Sequence, residues 1–183
     1  MRALRSLNVS HNRDNDLGFT LIEMLGIVAI IGIIAAFALP SFFGWVTTKH
    51  VENVLIQTEE ALKEAQSTAI SKAQICTLTI NSTTITATPP VCLPTGPRTL
   101  TQSDGSPSRV VVIAQSTPIT LQFSPKGSTP SSNILVFSHP DQPQQMRCLA
   151  ISIGSGILRT GRFTGNHPPV LGEINTTNCQ TTL

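Results

Sequence analysis

The residue with the most informative chemistry is Glu23, the one charged side chain in the apolar stretch 19–39. A carboxylate at membrane depth costs roughly 2.5–3.5 kcal/mol on insertion scales, so it normally has a specific partner. No Lys, Arg or His lies between Gly18 and Lys49. Cleavage after Gly18 would create one cation, the amino group of Phe19, which could pair with Glu23 within one helix or across two parallel helices. Either pairing would lower the cost of burying the carboxylate.

The apolar stretch has the length of a membrane-spanning helix. Its 21 residues, at 1.5 Å of rise each, would make a helix of roughly 31 Å, about the thickness of a hydrocarbon core. Arg2, Arg5 and Arg13 precede it, which predicts a cytoplasmic leader and an outer domain on the opposite face. Two alternatives stay open. An uncleaved signal anchor would give no reason for Glu23, and a signal peptide cut after Ala36-Phe37-Ala38 would have a shorter apolar run.

The segment Gly18-Phe19-Thr20-Leu21-Ile22-Glu23 and the apolar run after it resemble the N-terminal motif of the type IV pilin and pseudopilin superfamily. The resemblance implies that a prepilin peptidase cuts after Gly18 on the cytoplasmic side of the bacterial inner membrane. It also implies N-methylation of Phe19 and a role for Glu23 in setting the register of filament assembly.

Hydrophobic periodicity divides the chain into four segments. Residues 1–18 are predicted to be a cleaved cytoplasmic leader, and residues 19–40 a transmembrane or filament-core helix that Pro40 ends or kinks. Residues 41–74 are predicted to continue as an amphipathic helix. Its apolar residues recur at three, four or seven positions: Val51, Leu55, Leu62, Ala65, Ala69 and Ala73. Residues 75–183 alternate with period two and are predicted to form a β-rich domain.

The β-rich domain is expected to begin with a hairpin, residues 76–80 and 84–88, around the turn Asn81-Ser82-Thr83. Further strands are expected at 109–115, 118–123, 133–138, 146–153 and 156–163, with a short edge strand at 170–174. One long helix packed on an antiparallel sheet is an α+β arrangement. This order of elements resembles the minor pseudopilin H (FimT/GspH-like) branch, as do segments 123–127 and 148–156, and the resemblance implies a pilin-like fold.

Composition and cysteine usage indicate that the outer domain is exported. Only 12% of the residues are charged, Tyr is absent, and all four cysteines lie beyond the apolar stretch. No two of them have Cys-x-x-Cys spacing, which favours disulfides over a zinc or redox site. Of the three pairings that four cysteines allow, we favour Cys76–Cys92, which closes a hairpin, and Cys148–Cys179, which pins the C-terminal tail to a strand.

The sequence contains no recognisable catalytic constellation. Gly154-Ser155-Gly156 lacks the lysine and the following helix of a phosphate-binding loop. The histidines are scattered along the chain and are expected in solvated positions: His11, His50, His139 and His167. We therefore expect no enzymatic activity, no cofactor and no metal site.

The basic residues of the outer domain raise the question of whether it binds DNA. Residues 65–183 carry seven basic and three acidic side chains, an excess too small for a dedicated nucleic-acid binder. Arg147, Arg159 and Arg162 lie near the last predicted hairpin. Some FimT-type minor pilins bind DNA through a Gly-Arg-x-Arg segment, and Gly156-Ile157-Leu158-Arg159 keeps only its second arginine. The resemblance makes the three arginines candidates for DNA contact, but ordinary solvated arginines are the favoured interpretation.

The expected protein is a minor pilin-like subunit of a type II secretion pseudopilus or a type IV pilus, which supports protein secretion or filament initiation. It would cross the bacterial inner membrane once, with its C-terminal domain in the periplasm or on the filament surface. Its expected partners are the prepilin peptidase, other major and minor pilins or pseudopilins, and inner-membrane lipid. The alternative is a DNA-binding minor pilin for DNA uptake, which the incomplete Gly-Arg-x-Arg match does not favour.

Overall fold

The structure, a computed structural model, describes residues 19–81, 83–101, 108–114 and 118–181, without the side chains of residues 38–41, 43 and 143. The predicted leader 1–18, including Gly18, lies outside the described residues. The chain divides into two compact units, Met1–Pro40 and Ser41–Leu183.

The long helix, α1 (Leu21–Ser71), includes Pro40, so the proline does not end the helix. In the first unit, the described side chains of residues 21–37 are exposed, apart from half-buried Ala35. The side chains of residues 38–40, the end of the predicted membrane segment, lie outside the description. Among the described residues, no helix is both long enough and apolar enough to cross a membrane.

In the second unit, α1 packs one apolar face into the core. Val54 and Ala61 are buried on this face. Five of the six residues in the stripe predicted from periodicity are buried there too: Val51, Leu55, Leu62, Ala65 and Ala69. The sixth, Ala73, is exposed because the helix has already ended. The stripe is therefore confirmed along the helix, and the predicted helix end at residue 74 is too late.

The C-terminus of α1 is closed by a left-handed residue. Ala73 has φ +50°, and its amide donates to the carbonyl of Ile70 at 3.3 Å. The next amide, of Gln74, donates to the carbonyl of Ala69 at 3.1 Å. These two bonds form a Schellman motif, in which glycine usually occupies the left-handed position.

The described strands form two antiparallel sheets. One has the order β3-β2-β1-β5 and the other the order β4-β6-β7-β8-β9. The strands are β1 (Cys76–Ile80), β2 (Thr84–Thr88), β3 (Arg98–Thr99), β4 (Val111–Ala114), β5 (Ile119–Phe123), β6 (Asn133–His139), β7 (Gln142–Ile151), β8 (Leu158–Phe163) and β9 (Cys179–Thr181).

The α+β class, a long N-terminal helix packed on antiparallel β-structure, is confirmed. The sheet expected from the sequence is divided in two because β5 pairs with β1, whereas β6 pairs with β4 and β7. The chain therefore changes sheets between β3 and β4, returns to the first sheet between β4 and β5, and changes again between Phe123 and Asn133. The first hairpin, β1 and β2, has the bounds that its alternation predicts.

The edge strand predicted at 170–174 is wrong. Leu171–Glu173 form a short 3-10 turn, and the last strand is β9. Pro168 and Pro169, directly before this segment, have no amide hydrogens with which to extend a ladder into it. The side-chain amide of Asn178 also donates to the carbonyl of Glu173 at 2.8 Å, which stabilises the turn.

The described residues of the second unit form two hydrophobic cores. The larger is formed by α1 and the inner faces of both sheets. The smaller lies on the other face of the second sheet: Ile134, Val136, Met146, Cys148, Phe163, Ile174 and Cys179. Each core contains one disulfide. The pairings Cys76–Cys92 and Cys148–Cys179, favoured from the sequence, are both confirmed.

Candidate functional site

The N-terminus of α1 is capped by Thr20 and Glu23. The Glu23 amide donates to Thr20 Oγ1 at 3.3 Å. In return, the Thr20 amide and hydroxyl donate to Glu23 Oε2 at 2.9 and 2.8 Å. This reciprocal pattern is a capping box, which satisfies amides that the first helical turn leaves without partners.

The cap gives Glu23 a local role that sequence reasoning missed. From the sequence, an uncleaved signal anchor has no use for an acid at position 23. Helix capping gives Glu23 a role that does not depend on cleavage. The sequence signal was available, because Thr20-Leu21-Ile22-Glu23 has the spacing of a capping box before an apolar run. The two roles are compatible, since both bonds from Thr20 end on Oε2 and a carboxylate can accept about four hydrogen bonds.

Phe19, the residue expected to become the methylated N-terminus, lies two residues before α1 begins and is exposed. Phe19 is therefore the residue directly before Thr20, whose side chain caps α1. Gly18, the expected cleavage residue, lies outside the described residues. The structure thus places the expected terminus and the expected acid at the same end of α1.

The three candidate DNA-contacting arginines do not share one surface. Arg147 on β7 lies opposite Arg162 on β8, whereas Arg159 lies opposite Ala150. Cross-strand partners share a face, and residues three apart on one strand lie on opposite faces. Arg147 and Arg162 therefore lie on the side that faces α1, and Arg159 lies on the other.

Arg147 is already paired with an acid. Its Nη2 lies 2.6 Å from Glu52 Oε1, and Lys49 Nζ lies 2.8 Å from the other oxygen. The hydrogen bond from Lys49 and the nearby charge of Arg147 lower the pKa of Glu52, although partial burial acts in the opposite direction. Arg147 is thus held by an acid of α1, but Glu52 is shared with Lys49, so the group of three side chains keeps a net charge of +1.

A cleft of about 490 Å³ lies between α1 and the end of the second sheet. Leu55 and Ile56 provide its apolar floor. Its polar rim comes from both elements: Glu52, Glu59, Arg147, Thr160, Arg162, Gln180 and Thr181. Arg162 also lines a second cleft of about 340 Å³ on the outside of the sheet. Arg162 therefore lines both clefts.

Two turns singled out in the sequence meet at Gln66 of α1. Its side-chain amide donates to the carbonyl of Gly127 at 2.7 Å and to that of Gly156 at 3.2 Å. Both glycines have positive φ, +74° and +63°. A Cβ on Gly156 would lie 2.3 Å from the Gly127 carbonyl oxygen. The two turns that resemble the pseudopilin branch therefore have a structural role, as a junction between the sheets and the helix.

One expected solvated histidine is buried. His139 is 5% exposed, and its Nδ1 accepts the Asp141 amide at 3.2 Å. Burial lowers the pKa of His139 most strongly, while Asp141 raises it and the charges of Arg109 and His50 lower it further. Within the parts of the chain that the structure describes, no group of three or more His, Cys, Asp or Glu could hold a metal ion.

Comparison with known proteins gives one specific match. A comparison with curated protein sequences finds no significant relative. Among solved structures, the chain is similar to the type IV minor pilin FimU of Pseudomonas aeruginosa (strain PAO1) in two crystal forms. The TM-scores are 0.45 at 13% identity, over 60% of this chain and 86% of that one, and 0.41 at 15% identity, over 61% and 89%. Residues 13–39, however, match the family described as the prokaryotic N-terminal methylation motif.

Proposed function

We propose that this chain is the precursor of a minor pilin-like subunit, which is cut after Gly18, methylated at Phe19 and assembled into a filament through its N-terminal helix. The observation that carries the proposal is the methylation motif at residues 13–39. The two disulfides of the outer unit support export to an oxidising compartment. The protein would act as a structural and assembly subunit rather than as an enzyme.

The proposal places residues 19–40 in the bacterial inner membrane before assembly, with the outer unit in the periplasm. The prepilin peptidase and the other pilins or pseudopilins of the filament are its partners. After assembly the apolar helices pack together in the filament core. The filament is a type II secretion pseudopilus or a type IV pilus, and the subunit supports secretion or filament initiation, as in the minor pseudopilin H (FimT/GspH-like) branch.

The capping box suggests how Glu23 would act in assembly. Thr20 holds the carboxylate at the N-terminal end of the helix through its amide and hydroxyl. The amine of a neighbouring chain's Phe19 would approach this same end in a parallel bundle. In apolar surroundings the two charges attract strongly and lower each other's desolvation cost. A helix out of register would leave both charges without partners.

Two substitutions separate the charge of Glu23 from its capping role. Glu23→Gln keeps an acceptor that serves in capping boxes and removes the charge, whereas Thr20→Ala removes the cap and keeps the charge. We expect Glu23→Gln to reach the membrane fraction at the wild-type level and to be missing from sheared filaments. The Thr20→Ala variant, which keeps the charge of Glu23, should be present in sheared filaments. Wild-type incorporation of Glu23→Gln would overturn the pairing.

Processing is tested separately from pairing. The intact mass of the membrane-extracted protein should correspond to residues 19–183 with one added methyl group. A mass that retains residues 1–18 would overturn the proposed function itself.

The DNA-uptake alternative is not favoured by the geometry. Arg147 is paired with Glu52, and Arg159 and Arg162 lie on opposite faces of β8. Non-specific DNA binding depends on several cations that reach phosphates together. The three candidates do not offer such a surface.

A further inference from the structure

An exposed aromatic pair lies at the start of the outer unit. Phe42 and Trp45 are three residues apart on α1, with ring centroids 6.2 Å apart. They are 55% and 58% exposed, and Trp45 is the one tryptophan of the chain. Large aromatic side chains lose favourable burial energy when left in water. The pair is therefore suited to an environment other than bulk solvent.

The position of the pair along the chain indicates which environment. Leu39 ends the apolar stretch, and Phe42 follows it by three residues. Chain connectivity alone keeps their Cα atoms within about 11 Å. The headgroup region on each side of a hydrocarbon core is roughly 5–8 Å thick. If residues 19–39 span the core, the aromatic pair must lie close to that region.

The side chains that follow the pair suit the same boundary. Lys49 comes one helical turn after Trp45, and its side chain is 52% exposed and paired with Glu52. Tryptophan has an apolar ring body and one N–H donor, and such residues are enriched at membrane–water interfaces. A lysine stem can lie along an apolar surface while its ammonium reaches water or phosphate. The order apolar stretch, aromatic pair, lysine follows the polarity gradient of one leaflet.

We propose that Phe42 and Trp45 anchor the subunit in the interfacial layer of the outer leaflet before assembly, with the aromatic rings at the boundary between acyl chains and headgroups. This inference rests on the membrane insertion included in the proposed function. The anchor fixes the depth of α1 in the bilayer, so that Glu23 and Phe19 stay at the opposite face. A neighbouring subunit that covers the pair is the competing explanation.

The chain's own fluorescence tests the anchor. Because Tyr is absent and Trp45 is the one tryptophan, its emission reports this site alone. The full-length protein is reconstituted in phosphatidylethanolamine–phosphatidylglycerol vesicles that contain lipids brominated at shallow or deep acyl positions. We expect a blue-shifted emission and stronger quenching by shallow than by deep bromine.

A matched control moves the probe along the same helix. In the variant Trp45→Phe with Ile70→Trp, the tryptophan replaces an apolar side chain of similar exposure, 53%, near the other end of α1. This variant should float with the vesicles and show no quenching by brominated lipid. Equal quenching at the two positions would overturn the anchor.

Flotation separates the two proposals. A protein that floats but whose Trp45 is not quenched would overturn the anchor and leave the proposed function standing. A protein that does not float would overturn both. A blue shift that arises only after filament assembly would assign the aromatic pair to a subunit interface and would also overturn the anchor.

Discussion

Arg147 Nη2 lies 2.6 Å from Glu52 Oε1, and this ion pair joins strand β7 to helix α1 across 95 residues of sequence. Both side chains are about one-third exposed. The pair therefore stabilises the packing of the helix on the second sheet, and it also engages an arginine that the sequence offered as a candidate for DNA contact.

We expect Arg147→Ala to lower the free energy of unfolding by about 1 kcal/mol, because a partly exposed ion pair contributes modestly. Combined with Glu52→Gln, the loss should be smaller than the sum of the two single losses. Chemical denaturation followed by circular dichroism measures this coupling. Arg162→Ala serves as the control and should stay within about 0.5 kcal/mol of the wild type; equal losses for the two arginines would contradict the pairing.

Arg159 and Arg162 allow a direct test of DNA binding. We expect an electrophoretic mobility shift titration of the purified protein with duplex DNA to show no salt-sensitive complex at micromolar concentration. The reason is that the two arginines lie on opposite faces of β8 and the guanidinium of Arg147 is engaged with Glu52. Binding that is lost in an Arg159→Ala, Arg162→Ala double variant would establish the DNA-uptake alternative instead.

Two neighbouring glycines should respond differently to the same substitution. Gly156→Ala places a Cβ 2.3 Å from the Gly127 carbonyl oxygen at φ +63°, whereas Gly154→Ala places one in open space at φ +78°. We expect Gly156→Ala to destabilise by about 3 kcal/mol or more, from steric overlap and strain. Gly154→Ala should cost about 1 kcal/mol, from strain alone. Similar thermal unfolding midpoints would contradict the close approach of the two turns.

The C-terminus of α1 offers a stabilising substitution. Ala73 occupies a left-handed position that glycine adopts without a Cβ penalty. We expect Ala73→Gly to raise the free energy of unfolding by about 0.5–1 kcal/mol, since the relieved strain exceeds the added chain entropy. Ser67→Gly, at an exposed position inside the helix, should lower it by a similar amount. A destabilising Ala73→Gly would contradict the Schellman motif.

Because His139 is buried, we expect the stability of the protein to fall as the pH decreases from neutral to mildly acidic values. The pKa of His139 is lowered from 6.5, mainly by burial, so the unfolded chain binds a proton more readily than the folded chain does. Stability is then greatest above pH 6.5 and falls as the pH decreases below it. His139→Gln should flatten this part of the profile. The lowered pKa of Glu52 acts separately, because its contribution is lost only as the pH falls below about 4.5. A thermal unfolding series from pH 8 to pH 4 measures both.

Local patterns in the sequence were sufficient for several elements. The hairpin of β1 and β2 was predicted to the residue because alternation with period two and a polar turn are properties of adjacent residues. The buried stripe of α1 followed from helical periodicity for the same reason. The disulfide pairings were predicted from a hairpin and a terminal tail. The capping box of Thr20 and Glu23 is also a local feature, because the spacing Thr20-Leu21-Ile22-Glu23 encodes it.

Other features depended on contacts between residues far apart in the sequence. Whether β5 and β6 belong to one sheet depends on their partners, β1 and β4, and no local pattern encodes that choice. The burial of His139 and the pairing of Arg147 with Glu52 likewise required the packed outer unit. The opposite faces of Arg159 and Arg162, by contrast, already follow from the strand predicted at 156–163, because side chains three residues apart on a strand point to opposite sides.

The sequence by itself determined the methylation motif, the apolar N-terminal helix and the α+β class, because spacing, hydropathy and periodicity are carried by neighbouring residues. The tertiary structure alone decided which charges are compensated, which turns meet at Gln66 and how the strands divide into two sheets. Those outcomes arise from long-range packing, in which each side chain's environment is set by segments that the chain brings together only on folding.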